Sequence, residues 1–155
     1  MHGERSVSIY KSFFSVVPDT NIVLASQKST SESSPNREFF DHWRNDEFEI
    51  LYSDDMLLEY IEKMKELNIP EEIITKLIRS ILEPGRHISI VFYHLPLYPP
   101  DSDDITFLLC AENGKATHIV SYDLHLKEIG YFYSFKVCET LEFLSELREE
   151  LSEKK

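Results

Sequence analysis

The chain is poor in several things, and each shortage narrows what it can be. Its 155 residues include only two cysteines, Cys110 and Cys138, which lie far apart with no ligand-like spacing. That excludes a disulfide-stapled scaffold, suits a reducing compartment, and leaves two thiols that read as ordinary buried side chains. No apolar run approaches the length of a membrane span. The opening "MHGERSVSIYKSFFSVV" lacks the apolar core and small-residue cleavage site of a secretory signal, so the protein reads as cytoplasmic. Its six histidines show no paired spacing of a zinc site, and each reads as a surface or packing residue. Basic residues are scarce too: 16 Lys and Arg against 28 Asp and Glu give a formal net charge of −12. Such a chain has no broad basic face for gripping nucleic acid, so phosphates would need local patches or bound cations.

What is present describes a folded globule. The hydrophobic fraction is 42%, with ten Phe and eight Tyr, enough to build one core in a single domain over residues 1–155. The core should span about residues 13–147, with an acidic helix, "ETLEFLSELREELSEKK", at the end. "FFSVV" (Phe13 to Val17) has the near-continuous apolar pattern of a strand covered on both faces. Pro18 donates no ladder hydrogen bond, so sheet pairing should fail about there, leaving Asp19 just beyond a strand end. "QKSTSESSPN" reads as a mobile polar loop, and Ser34 before Pro35 as the start of a helix carrying Phe39, Phe40 and Trp43.

"FEILY" is a second strand, and Ser53 caps the helix after it. That helix buries a stripe of Met56, Leu57, Tyr60, Ile61, Met64 and Leu67. Pro70 starts another helix, whose buried face is Ile73, Ile74, Leu77, Ile78, Ile81 and Leu82. "HISIVFYHL" reads as extended, and Asp104 to about Asn113 as an apolar helix closed by Gly114. "THIVSYD" is a strand ending near Asp123, "LHLKEIG" a short helix and "YSFKVC" a further strand. Leu141, Leu144, Leu147 and Leu151 line the last helix. Strands alternating with helices predict a parallel sheet with helices on its faces, and the crevice beyond the strands' carboxyl ends is where such sheets bind ligands.

Acidic residues recur at that edge. Asp19 and Asp123 each follow a strand, Asp103 and Asp104 open a helix, and Glu59 lies one turn into the helix after the second strand. Singly, each has an ordinary explanation: Asp19 as a turn residue, Asp103 or Asp104 as a helix cap, Glu59 as a flank glutamate. Crowded together they would repel, and a hard divalent cation such as Mg²⁺ or Mn²⁺ would neutralise them.

The blocks "VVPDTNIVLAS", "SDDMLLEYIEKM", "DSDDITFLLCAENGKATHIVSYDLHL" and "FKVCETLEFL" occur in an order that resembles the PIN-domain nucleases, most closely the branch containing toxins of toxin–antitoxin pairs. The resemblance implies an α/β three-layer sandwich, with a mainly parallel central sheet and helices on both faces. It further implies that Asp19, Glu59, Asp104 and Asp123 are catalytic metal ligands for Mg²⁺ or Mn²⁺, with Asp103 an alternative to Asp104. Asn21 and Ser121 match polar positions that hold the site's waters. The implied activity is hydrolysis of single-stranded RNA, with an antitoxin protein and a second copy of the chain as further partners. A non-enzymatic module binding protein or RNA is the alternative. An aspartate-based phosphatase would need a second Asp where this chain has Asn21.

Overall fold

A computed structural model describes residues 11–28 and 34–153, so the middle half of the Ser-rich segment expected to form a mobile loop, residues 29–33, lies outside the described residues. The strands are β1 (Ser15–Pro18), β2 (Glu49–Tyr52), β3 (Arg86–His87), β4 (His118–Val120) and β5 (Lys136–Cys138). They form one sheet in the order β3-β2-β1-β4-β5, and every pairing is parallel. Around it run α1 (Thr20–Lys28), α2 (Pro35–Arg44), α3 (Asp54–Glu66), α4 (Glu71–Leu82), α5 (Asp104–Gly114), α6 (Leu124–Ile129) and α7 (Thr140–Glu153). This is the α/β sandwich expected, with a sheet wholly parallel among the described residues.

Alternation along the strands sorts the layers. Phe143 of α7 meets Phe14, Phe39 of α2, Phe48 and the His118 ring at centroid distances of 5.9, 5.6, 5.1 and 5.1 Å. On the opposite face α5 lies against β1, β2 and β4. A Cβ on Gly114 would come within 2.9 Å of Leu51 and Ile88, so close packing of α5 explains that glycine. The expectation that Gly114 closes the helix needs correcting: Gly114 is its last residue, and Lys115 takes the left-handed turn at φ 54°.

Pro18 does less damage than expected. Parallel pairing of β1 with β4 runs through Pro18↔Val120, and the Asp19 N–H continues it to the Val120 carbonyl at 3.0 Å. Because successive residues point to alternate sides, the missing proline donor faces β2, where pairing stops at Val16↔Ile50. The segment "HISIVFYHL" pairs with β2 only at its beginning, through Arg86–His87. Beyond it, Asn113 takes over the work of a neighbouring strand. Its Oδ1 accepts from the Val91 and Phe92 N–H groups at 2.9 and 3.2 Å, and its Nδ2 donates to the Phe92 carbonyl at 3.0 Å.

Three apolar stripes were drawn too wide. Leu141, Ile73, Leu82 and Leu67 are exposed, at 64, 44, 45 and 45%. Each sits at or near a helix end, and burial is concentrated toward the helix middles. Phe143, Ile74, Leu77 and Met64 form the buried centres of those helices instead.

Candidate active site

The carboxyl ends of β1 and β4, at the centre of the sheet, are held by an interlocking set of hydrogen bonds. The Asp19 N–H is tied to β4, while the preceding carbonyl, of Pro18, accepts from the buried Tyr60 hydroxyl at 2.6 Å. The backbone delivering Asp19 is thus fixed from both sides. Its Oδ2 accepts from the Ser121 hydroxyl at 2.6 Å and its Oδ1 from the Asn21 N–H at 3.4 Å. Ser121, fully buried, in turn accepts from the Asp123 N–H at 2.9 Å. Asp123 Oδ1 then caps α6, accepting from the His125 and Leu126 N–H groups at 2.8 and 3.4 Å.

Asp104 reaches the same place from α5. It is the first residue of that helix, it is buried, and its Oδ2 has no hydrogen-bond partner. Burial first, and then the charges of Asp123, Asp19 and Asp101, push its carboxyl up to about 7. A hydrogen bond between the Asp104 and Asp123 carboxyls acts in the same direction. Burial also raises Asp19, against the opposing hydrogen bond from Ser121, with the Asp123 charge adding to the rise. Asp19, Asp104 and Asp123 therefore share one field, in which no lysine or arginine figures among the main influences. An orphaned buried oxygen in an all-carboxylate group is donor chemistry that fits a hard divalent cation.

The other expected residues lie differently. Asp103 is exposed at the start of α5 and makes no side-chain cap. The turn is braced by Asp101, whose Oδ1 accepts from the Asp103 N–H at 2.9 Å and whose carbonyl accepts from the Asp104 N–H at 3.1 Å. Of the two candidates, Asp104 is the one that meets Asp19 and Asp123. Glu59 is half-buried; after burial, the charges that raise it most are Asp103 and Glu62, which puts it at the margin rather than among the three aspartates. Asn21 is exposed and reaches Asp19 through its backbone N–H.

Two contributors were not singled out from the sequence. Tyr60 was assigned to an apolar stripe, yet a tyrosine in a fully buried stripe must find a partner for its hydroxyl, and that was the available signal. Thr20 sits beside Asp19 with its Oγ1 buried and unpartnered, and nothing local distinguished it from a helix-start threonine. Donor spacing adds a further fact. Among the described residues, the group of three or more His, Cys, Asp or Glu side chains whose donor atoms all lie within 4.8 Å of one another is a different one, His118, Cys138 and Glu146.

Comparison with known proteins bears on this arrangement. A family model described as a PIN domain matches residues 15–125. Among solved structures, the chain is similar to VapBC2 from Rickettsia felis, crystallised bound to a DNA fragment from its promoter. That match has a TM-score of 0.56 and 14% identity, and it covers 80% of this chain and 97% of the other. At that identity it speaks for the fold. A comparison with curated proteins gave no match.

Proposed function

The chain belongs to the PIN domain family, and on that premise we propose that it is a divalent-metal-dependent endoribonuclease of the toxin class, acting on single-stranded RNA in the cytoplasm. One observation carries the reading: Asp104, buried and with an unpartnered oxygen, is set against Asp19 and Asp123 at the carboxyl edge of a parallel sheet. Uncompensated carboxylates of this kind are costly in a merely structural role, and perturbed acids in a cleft are candidates for function.

In this reading Asp19, Asp104 and Asp123 would hold Mg²⁺ or Mn²⁺, with Glu59 the further acidic residue at the margin of the group. When bound, the ion supplies an acidified water and neutralises charge growing on the phosphoryl oxygens. The protein's own part is orientation. Tyr60 and the β4 ladder fix the backbone of Asp19, and the Ser121 hydroxyl fixes its carboxylate plane. Ser121 also anchors the backbone of Asp123, so two ligands, Asp19 and Asp123, are referred to one strand end, and Asp104 comes to them from α5. Asp104, with a carboxyl pushed up to about 7, can carry a proton near neutrality until a cation replaces it.

The test is cleavage of single-stranded RNA, expected with Mg²⁺ or Mn²⁺ and abolished by EDTA. Asp19→Asn and Asp104→Asn should each lower the rate at least about 100-fold. Cutting at the normal rate by either variant would sink the assignment. The net charge of −12 favours one other reading, a PIN module that binds a protein partner without catalysis. Calorimetric titration separates the two, since that module would show no saturable Mn²⁺ uptake sensitive to Asp104→Asn. The toxin reading also calls for an antitoxin protein, and homodimerisation would accompany it. Size-exclusion chromatography with light scattering measures the latter.

A further inference from the structure

The face of β4 and β5 that lies under α7 carries a different set of groups. His118, its first residue, is buried, and so is Cys138 at the end of β5. Register places both on one face of the sheet, because His118 pairs with Lys136, two residues before Cys138. That face is covered by α7, which supplies Glu146. The imidazole and carboxylate donor atoms and the thiol sulfur all lie within 4.8 Å of one another, and His118 Nε2 is 3.0 Å from Glu146 Oε1.

We propose that His118, Cys138 and Glu146 form a second metal site, a thiolate–imidazole–carboxylate centre for Zn²⁺ or an ion of similar softness. Donor type separates it from the carboxylate edge: sulfur and nitrogen select zinc-like ions, whereas carboxylates alone select Mg²⁺ or Mn²⁺. Metal–ligand bonds of about 2.0–2.3 Å put neighbouring ligands roughly 3–3.7 Å apart, so the observed Nε2···Oε1 spacing needs no rearrangement and the sulfur only a small approach.

The surroundings fit. His118 Nδ1 lies 2.8 Å from the Thr117 hydroxyl, which also reaches the Ser15 carbonyl at 3.0 Å. The hydroxyl can donate to Nδ1 when Nε2 carries the proton. It can equally turn to Ser15 and accept from Nδ1–H, leaving the Nε2 lone pair for a metal. Either tautomer is satisfied, and the second is the outer support expected of a metal-ligating imidazole. Glu146 Oε2 is held by Lys136 at 2.6 Å, which aims Oε1 at the ring. Thiolate, carboxylate and a divalent cation sum to zero charge, a condition for stability where two of three ligands are buried. Binding exchanges the S–H bond for S–metal and releases the proton to solvent. Burial, then Glu146 and Glu142, push the thiol up to about 12, so a cation is what ionises it at neutrality. Glu146, with a side chain 32% exposed, leaves a way in and room for a water as fourth ligand.

Cobalt is the probe, since Co²⁺ reports thiolate ligation by a charge-transfer band in the near ultraviolet. Titration of the reduced full chain at neutral pH should give this band at one equivalent, and Zn²⁺ should bleach it. Cys138→Ser should remove the band, while Cys110→Ser and Asp104→Asn keep it. Glu146→Gln, a change at a half-exposed position, should weaken apparent Co²⁺ affinity about tenfold or more. No band, or a band that survives Cys138→Ser, overturns the proposal. Should Cys138→Ser fail to fold, unchanged Co²⁺ affinity in Glu146→Gln overturns it as well.

Discussion

The two ends of β4 treat charge in opposite ways. Where the strand begins, the carboxylates are met by opposite charge or a ring nitrogen: Lys136 Nζ lies 2.6 Å from Glu146 and 2.5 Å from Glu142, and His118 Nε2 lies 3.0 Å from Glu146. There the pairing outweighs burial, and Glu146 is held below its ordinary value by Lys136 and His118. Where the strand ends, Asp19, Asp104 and Asp123 crowd together, and Asp104 is raised to about 7. The same sheet, a few residues apart, supplies a compensated cluster at one end and an uncompensated one at the other. Strain from like charges is tolerated where the parallel strands point their carboxyl ends, the position from which a cation and a phosphate could relieve it.

Mutations should break this comparison in a graded order. The largest effect belongs to the packing beneath the paired end. Phe143→Ala, which empties the ring cluster around His118, Phe14 and Phe48, should cost about 3–5 kcal/mol in chemical denaturation.

The crowded end should respond with the opposite sign. Asp104 has a folded value above its ordinary 3.8, so its contribution is fully present below about pH 4 and lost as pH rises through about 7. Metal-free Asp104→Asn should therefore be more stable than the parent above neutrality, by about 2–4 kcal/mol, and the gain should vanish near pH 4. Glu146, lowered rather than raised, gives the mirror profile: its stabilisation is present above the ordinary 4.5 and lost as pH falls below it. Urea melts of metal-free protein across this range measure both. A parent protein more stable than Asp104→Asn above neutrality would contradict the account of the crowded end.

Tyr60→Phe should cost about 1–3 kcal/mol, because the Pro18 carbonyl loses its buried donor. In the same variant RNA cleavage should fall more than stability alone explains, since the carbonyl lies one residue before Asp19. Smallest is the surface pair of Arg148 and Glu38, at 2.5 Å. Both side chains are partly exposed, and Arg148→Ala should change stability by less than about 1 kcal/mol.

Much of the fold could be read along the chain because its signals are local. Ser53 accepts from the Met56 N–H as a cap should, Pro35 opens α2, and Pro70 precedes α4. Periodicity found every long helix after residue 34 but misjudged Leu141, Ile73, Leu82 and Leu67, since a stripe of apolar residues does not say where the neighbour covering it ends. The segment after β3 was read as extended, and the competing Asn113 amide, more than twenty positions downstream, was invisible to a local reading. At the carboxylate edge, strand ends brought Asp19 and Asp123 to notice and a helix start brought Asp103 and Asp104, with Asp104 preferred on resemblance. Glu59 rested on resemblance, and it lies beside Asp103.

The sequence by itself determined the alternation of strands and helices, and with it the edge at which acids would gather, because caps, prolines and apolar spacing act over a few residues. Only the tertiary structure decided what those acids touch. The Ser121 hydroxyl meets Asp19 across 102 positions, and the lone-looking Cys138 and His118 become neighbours of Glu146 through sheet register and the packing of α7. Hydrogen bonding, charge repulsion and metal ligation depend on distance in space, which the chain sets only when it folds.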